Sequence, residues 1–157
     1  MKDATTSSIA DSTSNVFTGT KTSANNPPET AGIIGKGQYP DGSNDYIYTS
    51  SSASLNPTNL TYSSWVKVPA GAGNVLYDRI AEIGGYQNDG GFDFEFQSAS
   101  ALAAIVWTSG ASTIVGGNYT FTDDAWFYIT FTSATDPSQS HAMYVKGSQI
   151  GSTSTAT

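Results

Sequence analysis

Two carboxylates on one short segment are the first residues of this sequence whose type and spacing could do chemistry. Asp93 and Glu95 alternate with Phe92, Phe94 and Phe96, so a β-strand would carry carboxylates on one face and aromatic rings on the other. Paired carboxylates serve as acid and nucleophile in glycoside hydrolysis, and they also bind polar ligands. We therefore predict a buried aromatic face, a solvated carboxylate face, and Asp93 and Glu95 as ligand-binding residues.

Aromatic side chains that can stack on the faces of sugars are a second kind of candidate. Tyr46 and Tyr48 share one face of a predicted strand, Tyr86 and Asn88 lie in a glycine-rich loop, and Trp107 lies on a strand of small residues. We take all five as candidate ligand-binding residues, although each also fits a place in the core.

Two other tryptophans are predicted to pack in the core. Trp65 and Trp126 lie within the most β-prone runs of the chain, where large aromatic side chains are usually buried. We therefore do not count them among the ligand-binding residues.

Oxygen atoms in loops are candidate metal ligands, because hard cations such as calcium bind carboxylate, amide and backbone oxygens. Three clusters offer such oxygens: Asp11 with Asn15, Asp41 with Asn44 and Asp45, and Asp123 with Asp124. The cluster at Asp41 also fits an ordinary turn, since Asp-Gly and Asn-Asp satisfy turn geometry without a metal. Calcium and a plain turn both stay open at this point.

The single histidine, His141, does not make a catalytic triad. The chain has no Gly-x-Ser-x-Gly segment that would hold a nucleophilic serine, and His141 lies at the start of a predicted strand. We expect a structural or exposed histidine.

Charge and composition exclude several classes of function. The net charge is −7 and the six Lys and Arg residues are scattered, which argues against binding to nucleic acid. Cysteine is absent, so neither a disulfide framework nor a thiolate metal site is expected. We predict no membrane span, because no apolar run is long enough, and no signal peptide in this chain, because its start lacks an apolar segment.

Short strands are the elements that must position these residues. Runs of β-branched and aromatic residues recur between clusters of Gly, Pro, Asn, Asp and Ser, and no window has helical periodicity. The turn at 41–45 predicts a hairpin between 38–39 and 46–48. Further strands are predicted at 16–20, 60–68, 75–83, 92–97, 102–108, 126–132 and 141–146. The length favours one all-β domain over residues 1–157.

Five segments, in order along the chain, resemble one family. They are residues 11–15 with Gly-Thr at 19–20, Gly-Lys-Gly-Gln at 35–38 leading to Asp-Gly-Ser-Asn-Asp-Tyr-Ile at 41–47, the run ending in Trp-Val-Lys at 65–67, 126–131, and 143–147. Together they resemble the LamG-like jelly-roll domains of the concanavalin A-like lectin and glucanase superfamily. Two positions depart from the family pattern, with Trp126-Phe127 in place of Trp-His and Lys146-Gly147 in place of Asp-Gly.

The resemblance implies a jelly-roll β-sandwich of two antiparallel sheets and often a bound calcium ion. It also implies family strands before residue 1 and after residue 157. We therefore expect a sheet that lacks its first and last strands, as in a fragment of a larger protein or a module completed by strand pairing with another chain. Related glucanases carry a glutamate where this sequence has Gly91, so a non-catalytic protein is expected.

The expected function is therefore recognition by an extracellular or cell-surface protein. The partner would be a glycan or a surface protein, with calcium as the one cofactor that the resemblance suggests. Two alternatives remain: a structural or adhesive spacer module of a cell envelope or virion, and, less favoured, a glycoside hydrolase.

Overall fold

The structure is a computed structural model that describes residues 7–23, 26–41, 43–55, 57, 59–69, 78–84, 91–98, 100–108, 111–134 and 140–155. The chain forms two compact units, Met1–Ser51 and Ser52–Thr157. In the described residues every strand pairing is antiparallel, and no helix has the length and apolar character that crossing a membrane requires. The all-β class is confirmed.

The first unit is built from five very short strands. They are β1 (Ser8–Ile9), β2 (Gly19–Lys21), β3 (Glu29–Ala31), β4 (Lys36–Gln38) and β5 (Ile47–Tyr48). The strands β1, β2 and β5 form one sheet in that order, and β3 pairs with β4. The predicted hairpin around Asp41 is wrong, because β5 pairs with β2 rather than with β4. The tight turn lies earlier, where Gly32 N–H donates to Gly35 O at 3.0 Å and Gly35 has φ +68°.

The second unit holds two four-stranded sheets. After a short 3-10 helix (Ala53–Leu55), its strands are β6 (Leu60–Lys67), β7 (Asp78–Ile83), β8 (Phe92–Ser98), β9 (Ala101–Thr108), β10 (Ala111–Asn118), β11 (Trp126–Ser133), β12 (Ser140–Val145) and β13 (Ser148–Thr155). Sheet I has the order β13-β12-β11-β6, and sheet II has the order β10-β9-β8-β7. Two of these strands, β10 and β13, are not among the strands predicted from the sequence.

The core of the second unit lies between these two sheets. Phe92 and Phe94 on β8 are buried, as predicted, and their ring centroids lie 5.7 and 6.3 Å from that of Phe131 on β11. Tyr62 on β6 meets Phe94 edge-on at 5.3 Å. Each such buried ring contributes about 1.5–3 kcal/mol to stability. The two sheets therefore pack as a β-sandwich, as expected of a jelly roll.

Glycines allow the edge strands β10 and β13 of the two sheets to approach closely. A Cβ on Gly117 would lie 2.8 Å from the nitrogen of Gly151, and a Cβ on Gly151 would overlap the carbonyl oxygen of Gly116. Gly151 also has φ +69°, a backbone conformation that favours glycine. This corner of the sandwich leaves no room for side chains.

Candidate functional site

The carboxylates of Asp93 and Glu95 lie on the face of sheet II that points away from the core. Register places Asp93 beside Ile105 of β9 and Glu82 of β7, and Glu95 beside Ala103 and Arg79. The prediction that this face is solvated is wrong, because Asp93 and Glu95 are only 1% and 2% exposed. Both faces of β8 are therefore buried over this stretch.

Neighbouring side chains explain how two adjacent carboxylates can be buried. Trp107 Nε1 donates to Asp93 Oδ2 at 3.2 Å, and Gln97 Nε2 donates to Glu95 Oε1. Arg79 Nε lies 3.7 Å from Asp93 Oδ1 and 3.9 Å from Glu95 Oε2. Burial of a carboxylate that is hydrogen-bonded or ion-paired costs much less free energy than burial of an isolated one. Trp107, a candidate ligand-binding residue, is partly buried and donates its indole N–H to Asp93, and its contact with a ligand stays a prediction.

Arg79 is the cation shared by this group, which we call the acidic cluster (Arg79, Glu82, Asp93 and Glu95). Its Nη1 lies 3.0 Å from Glu82 Oε2, closer than its Nε lies to either buried carboxylate. Asp93 Oδ1 makes no hydrogen bond within the described part of the chain. One guanidinium therefore faces three carboxylates, and the cluster keeps an excess of negative charge.

The proton affinity of Glu95 reflects this environment. Burial, followed by repulsion from Asp93, raises the pKa of Glu95 above its ordinary value, while Arg79 and the hydrogen bond from Gln97 act in the opposite direction. A carboxyl group with a higher pKa in the folded than in the unfolded chain stabilises the fold most below its unfolded pKa of about 4.3. That contribution is lost as the pH rises through the folded value.

The variant Glu95→Gln is therefore expected to gain stability relative to the wild type as the pH rises. Glutamine has nearly the same shape but does not ionise, so the difference in free energy of unfolding should shift in favour of the variant between about pH 4 and about pH 7. Urea denaturation at both pH values measures this difference. Asp123→Asn is the control, because it also removes one negative charge but does so at an exposed position. A difference that does not change with pH would contradict the assigned pKa direction.

An exposed aromatic pair lies on the outward face of sheet I. We call Trp65 on β6 and Tyr128 on β11 the aromatic platform; their ring centroids are 5.2 Å apart and their planes are inclined at 50°. Trp65 is 42% and Tyr128 39% exposed, so the prediction that Trp65 packs in the core is wrong. Trp126 is partly buried.

The sequence did contain a signal for this placement. Tyr62 and Trp65 are three positions apart on one strand, so their side chains point to opposite faces. Tyr62 shares its face with Leu60 and Val66, whereas the other residues on the face of Trp65 are all polar, so the sequence indicates that Trp65 points outward. Strand alternation therefore outweighs the general tendency of tryptophan to be buried.

A second exposed aromatic pair, the tyrosine pair, lies in the first unit, with Tyr46 directly before β5 and Tyr48 on it. Tyr46 and Tyr48 have ring centroids 5.9 Å apart and are 58% and 53% exposed, so both rings are accessible. They share a face, as predicted, and their contact with a ligand stays a prediction. The other two predicted ligand-binding residues, Tyr86 and Asn88, lie outside the described residues.

The Asp11 carboxylate already holds its own loop together. It accepts hydrogen bonds at 2.7 Å from Thr13 N–H, from the Thr13 hydroxyl and from Phe17 N–H. These bonds, led by the one from Thr13 N–H, lower the pKa of Asp11. Asn15 N–H donates to the Thr13 hydroxyl at 3.3 Å. Three of the roughly four acceptor sites of this carboxylate are therefore occupied within the loop, and calcium binding at Asp11 stays a prediction.

The Asp41 cluster is organised as a turn. Asp41 Oδ1 accepts a hydrogen bond from Ser43 N–H at 2.8 Å, and Asp41 N–H donates to Asp45 Oδ2 at 3.1 Å. Asn44 is exposed beside them. Within the described ranges, no group of three His, Cys, Asp or Glu residues is placed to hold a metal ion. Calcium binding by backbone and amide oxygens at this turn stays a prediction.

His141 is a buried residue of the sandwich. Its Nδ1 lies 3.0 Å from the Ser133 hydroxyl oxygen, and its ring stacks on Phe131 with 6.4 Å between centroids. Burial lowers the pKa of His141, which favours the neutral ring. The geometry is that of a packed, hydrogen-bonded histidine, which is one of the two placements expected from the sequence.

Comparison with known proteins identifies the family. The Laminin_G_3 family, described as the concanavalin A-like lectin/glucanases superfamily, matches residues 41–157, more than half of the chain. No curated protein and no solved structure matches the chain. The match covers the tyrosine pair, the aromatic platform and the acidic cluster together with both sheets of the sandwich. The chain therefore belongs to the concanavalin A-like lectin/glucanases superfamily, as a LamG-like domain.

Proposed function

We propose that this domain is a non-catalytic recognition module that binds carbohydrate. The observation that carries the proposal is the presence of two exposed aromatic pairs, the aromatic platform and the tyrosine pair. Aromatic rings offer flat apolar surfaces that complement the apolar faces of sugars, and their own burial on binding is favourable. Membership of a lectin-like superfamily supports the same conclusion.

The arrangement of the acidic cluster supports a role without catalysis. Asp93 and Glu95 are buried beside Arg79, and the preceding position where related glucanases carry a glutamate is Gly91. A retaining hydrolase needs an acid and a nucleophile that both reach the scissile bond. Carboxylates that are ion-paired and shielded from solvent suit a structural role better.

We propose an extracellular or cell-surface location, since LamG-like domains commonly serve there. The partner would be a glycan of a cell envelope or matrix, or a glycan-bearing surface protein. No nucleic acid partner is proposed, because a net charge of −7 repels phosphate.

A glycan array combined with polysaccharide pull-down tests this function directly. We expect the folded domain to bind at least one carbohydrate class, and repeating the measurement with a chelator tests the predicted calcium. A well-folded domain that binds nothing would contradict the proposal and favour a structural or adhesive spacer. Release of reducing sugar that Glu95→Gln abolishes would instead identify a glycoside hydrolase.

A further inference from the structure

The two rings of the aromatic platform are held in place by the sheet. Trp65 and Tyr128 are direct cross-strand partners in the antiparallel pairing of β6 with β11, and each ring packs on the other. Ligand binding to rings that are already ordered costs little side-chain entropy. The platform is therefore a preformed surface, and a ligand need not create it.

Small hydroxyl side chains continue from the two rings in one direction along the same face of sheet I. Alternation on β6 points Thr61 and Ser63 outward with Trp65, and the pairing places Thr130 opposite Ser63 and Thr132 opposite Thr61. Short hydroxyl groups can both donate and accept hydrogen bonds. The Thr132 hydroxyl already donates to Ala142 O at 3.4 Å, so it offers a ligand only an acceptor. A surface of rings beside hydroxyls suits a ligand with an apolar face and hydroxyl edges, which describes a sugar ring.

The same face carries almost no charge. The outward positions of β6 from Thr61 to Trp65 and of β11 from Tyr128 to Thr132 hold no side chain that is charged at neutral pH. The next outward residue on β6, Lys67, is paired with Asp124 at 3.5 Å. Because the chain as a whole has a net charge of −7, a sulfated or uronate-rich polymer would be repelled. These charges favour a neutral ligand.

The inclination between the rings bears on the length of the ligand. Two ring planes at 50° form a bent surface rather than one flat plane. One sugar ring can lie flat on only one of them, whereas successive units of a chain can turn to face each ring separately. Two stacking contacts within one chain also strengthen binding, since the second contact forms at high effective concentration.

We infer that the aromatic platform binds a neutral polysaccharide chain through stacking on Trp65 and Tyr128, with the hydroxyls of Thr61, Ser63, Thr130 and Thr132 contacting its edges. This inference rests on the proposed carbohydrate-binding function and names the site and the ligand class. A protein partner on this face is the alternative outcome that the test must separate.

The experiment uses affinity electrophoresis and calorimetry of the full chain. The neutral probes are soluble glucans, mannans and galactans, and the polyanionic probes are alginate and dextran sulfate. Trp65→Thr and Tyr128→Thr remove one ring each while keeping a strand-forming residue, and Trp65→Phe keeps a ring. Tyr39→Ala removes an exposed tyrosine that lies outside both aromatic pairs and is the matched control.

We expect binding to a neutral polysaccharide that weakens by about tenfold or more in each threonine variant. Trp65→Phe should stay within about threefold of the wild type, and Tyr39→Ala should match it. Raising salt from about 50 to about 500 mM should leave the affinity unchanged, because no ionic contact is involved. Thermal unfolding of each variant checks that the fold is intact, and Tyr128→Thr provides an independent test from a second strand.

Three results would overturn the inference in distinguishable ways. Neutral-polysaccharide binding that survives both threonine variants would move the site elsewhere and leave the proposed function standing. Salt-sensitive binding to alginate or dextran sulfate alone would refute the ligand class. A folded domain that binds none of the probes would contradict the proposed function itself, and capture of a protein through Trp65 in that case would assign the platform to a protein partner.

Discussion

Replacing Gly151 by alanine is expected to cost at least about 3 kcal/mol of stability or to prevent folding. The new Cβ would overlap the carbonyl oxygen of Gly116 on β10, and the obstacle is backbone rather than the end of a flexible side chain. Relief of this overlap would require β10 and β13 to move apart. Since these strands belong to different sheets, that movement would open the sandwich at one corner.

Gly147→Ala is the matched control for this substitution. Gly147 also has a positive φ, +80°, but a Cβ there would meet nothing within 4 Å. Its replacement should therefore cost only the backbone strain of a left-handed residue, about 1–2 kcal/mol. Chemical denaturation of both variants compares the two costs. Equal losses of stability in the two variants would show that the close approach of β10 and β13 does not contribute to the cost of Gly151→Ala.

The same glycines explain why β10 and β13 could not be predicted from the sequence. Gly116, Gly117 and Gly151 interrupt otherwise β-prone segments, and sequence rules treat glycine within a strand as unfavourable. Here glycine is required because β10 and β13, which are distant in sequence, approach too closely for side chains at these positions. Only the tertiary structure reveals that requirement.

Alternation within a single strand predicted the structure better than did the glycine-containing segments of β10 and β13. The alternation of phenylalanines with Asp93 and Glu95 correctly predicted which face of β8 enters the core. The burial of the two carboxylates could not be predicted in the same way, because Arg79 reaches Glu95 through the pairing of β7 with β8. A partner on another strand depends on register, which is a property of the assembled sheet. The outward position of Trp65, by contrast, follows from one strand alone, because Trp65 alternates with Leu60, Tyr62 and Val66.

Replacing Arg79 by alanine is expected to destabilise the protein by about 1–3 kcal/mol at neutral pH. The substitution leaves Asp93 and Glu95, both almost fully buried, without the guanidinium that lies 3.7 and 3.9 Å from them. Removal of one partner from a fully buried ion pair would cost more than this. The Arg79 side chain is 39% exposed, however, so water screens part of its attraction to the two carboxylates. Arg79→Lys keeps the charge and serves as the control, with a smaller expected loss.

The pH dependence distinguishes lost charge compensation from lost packing. Burial and Asp93 already raise the pKa of Glu95, so acid should protonate Glu95 and remove part of the repulsion that Arg79→Ala exposes. The cost of Arg79→Ala should therefore shrink from about pH 7 to about pH 4. At neutral pH, adding Glu95→Gln should restore part of the lost stability, which a double-mutant cycle measures as a coupling energy. Additive effects of the two substitutions, with a cost that does not vary with pH, would mean that Arg79 stabilises sheet II through the packing of its side chain alone.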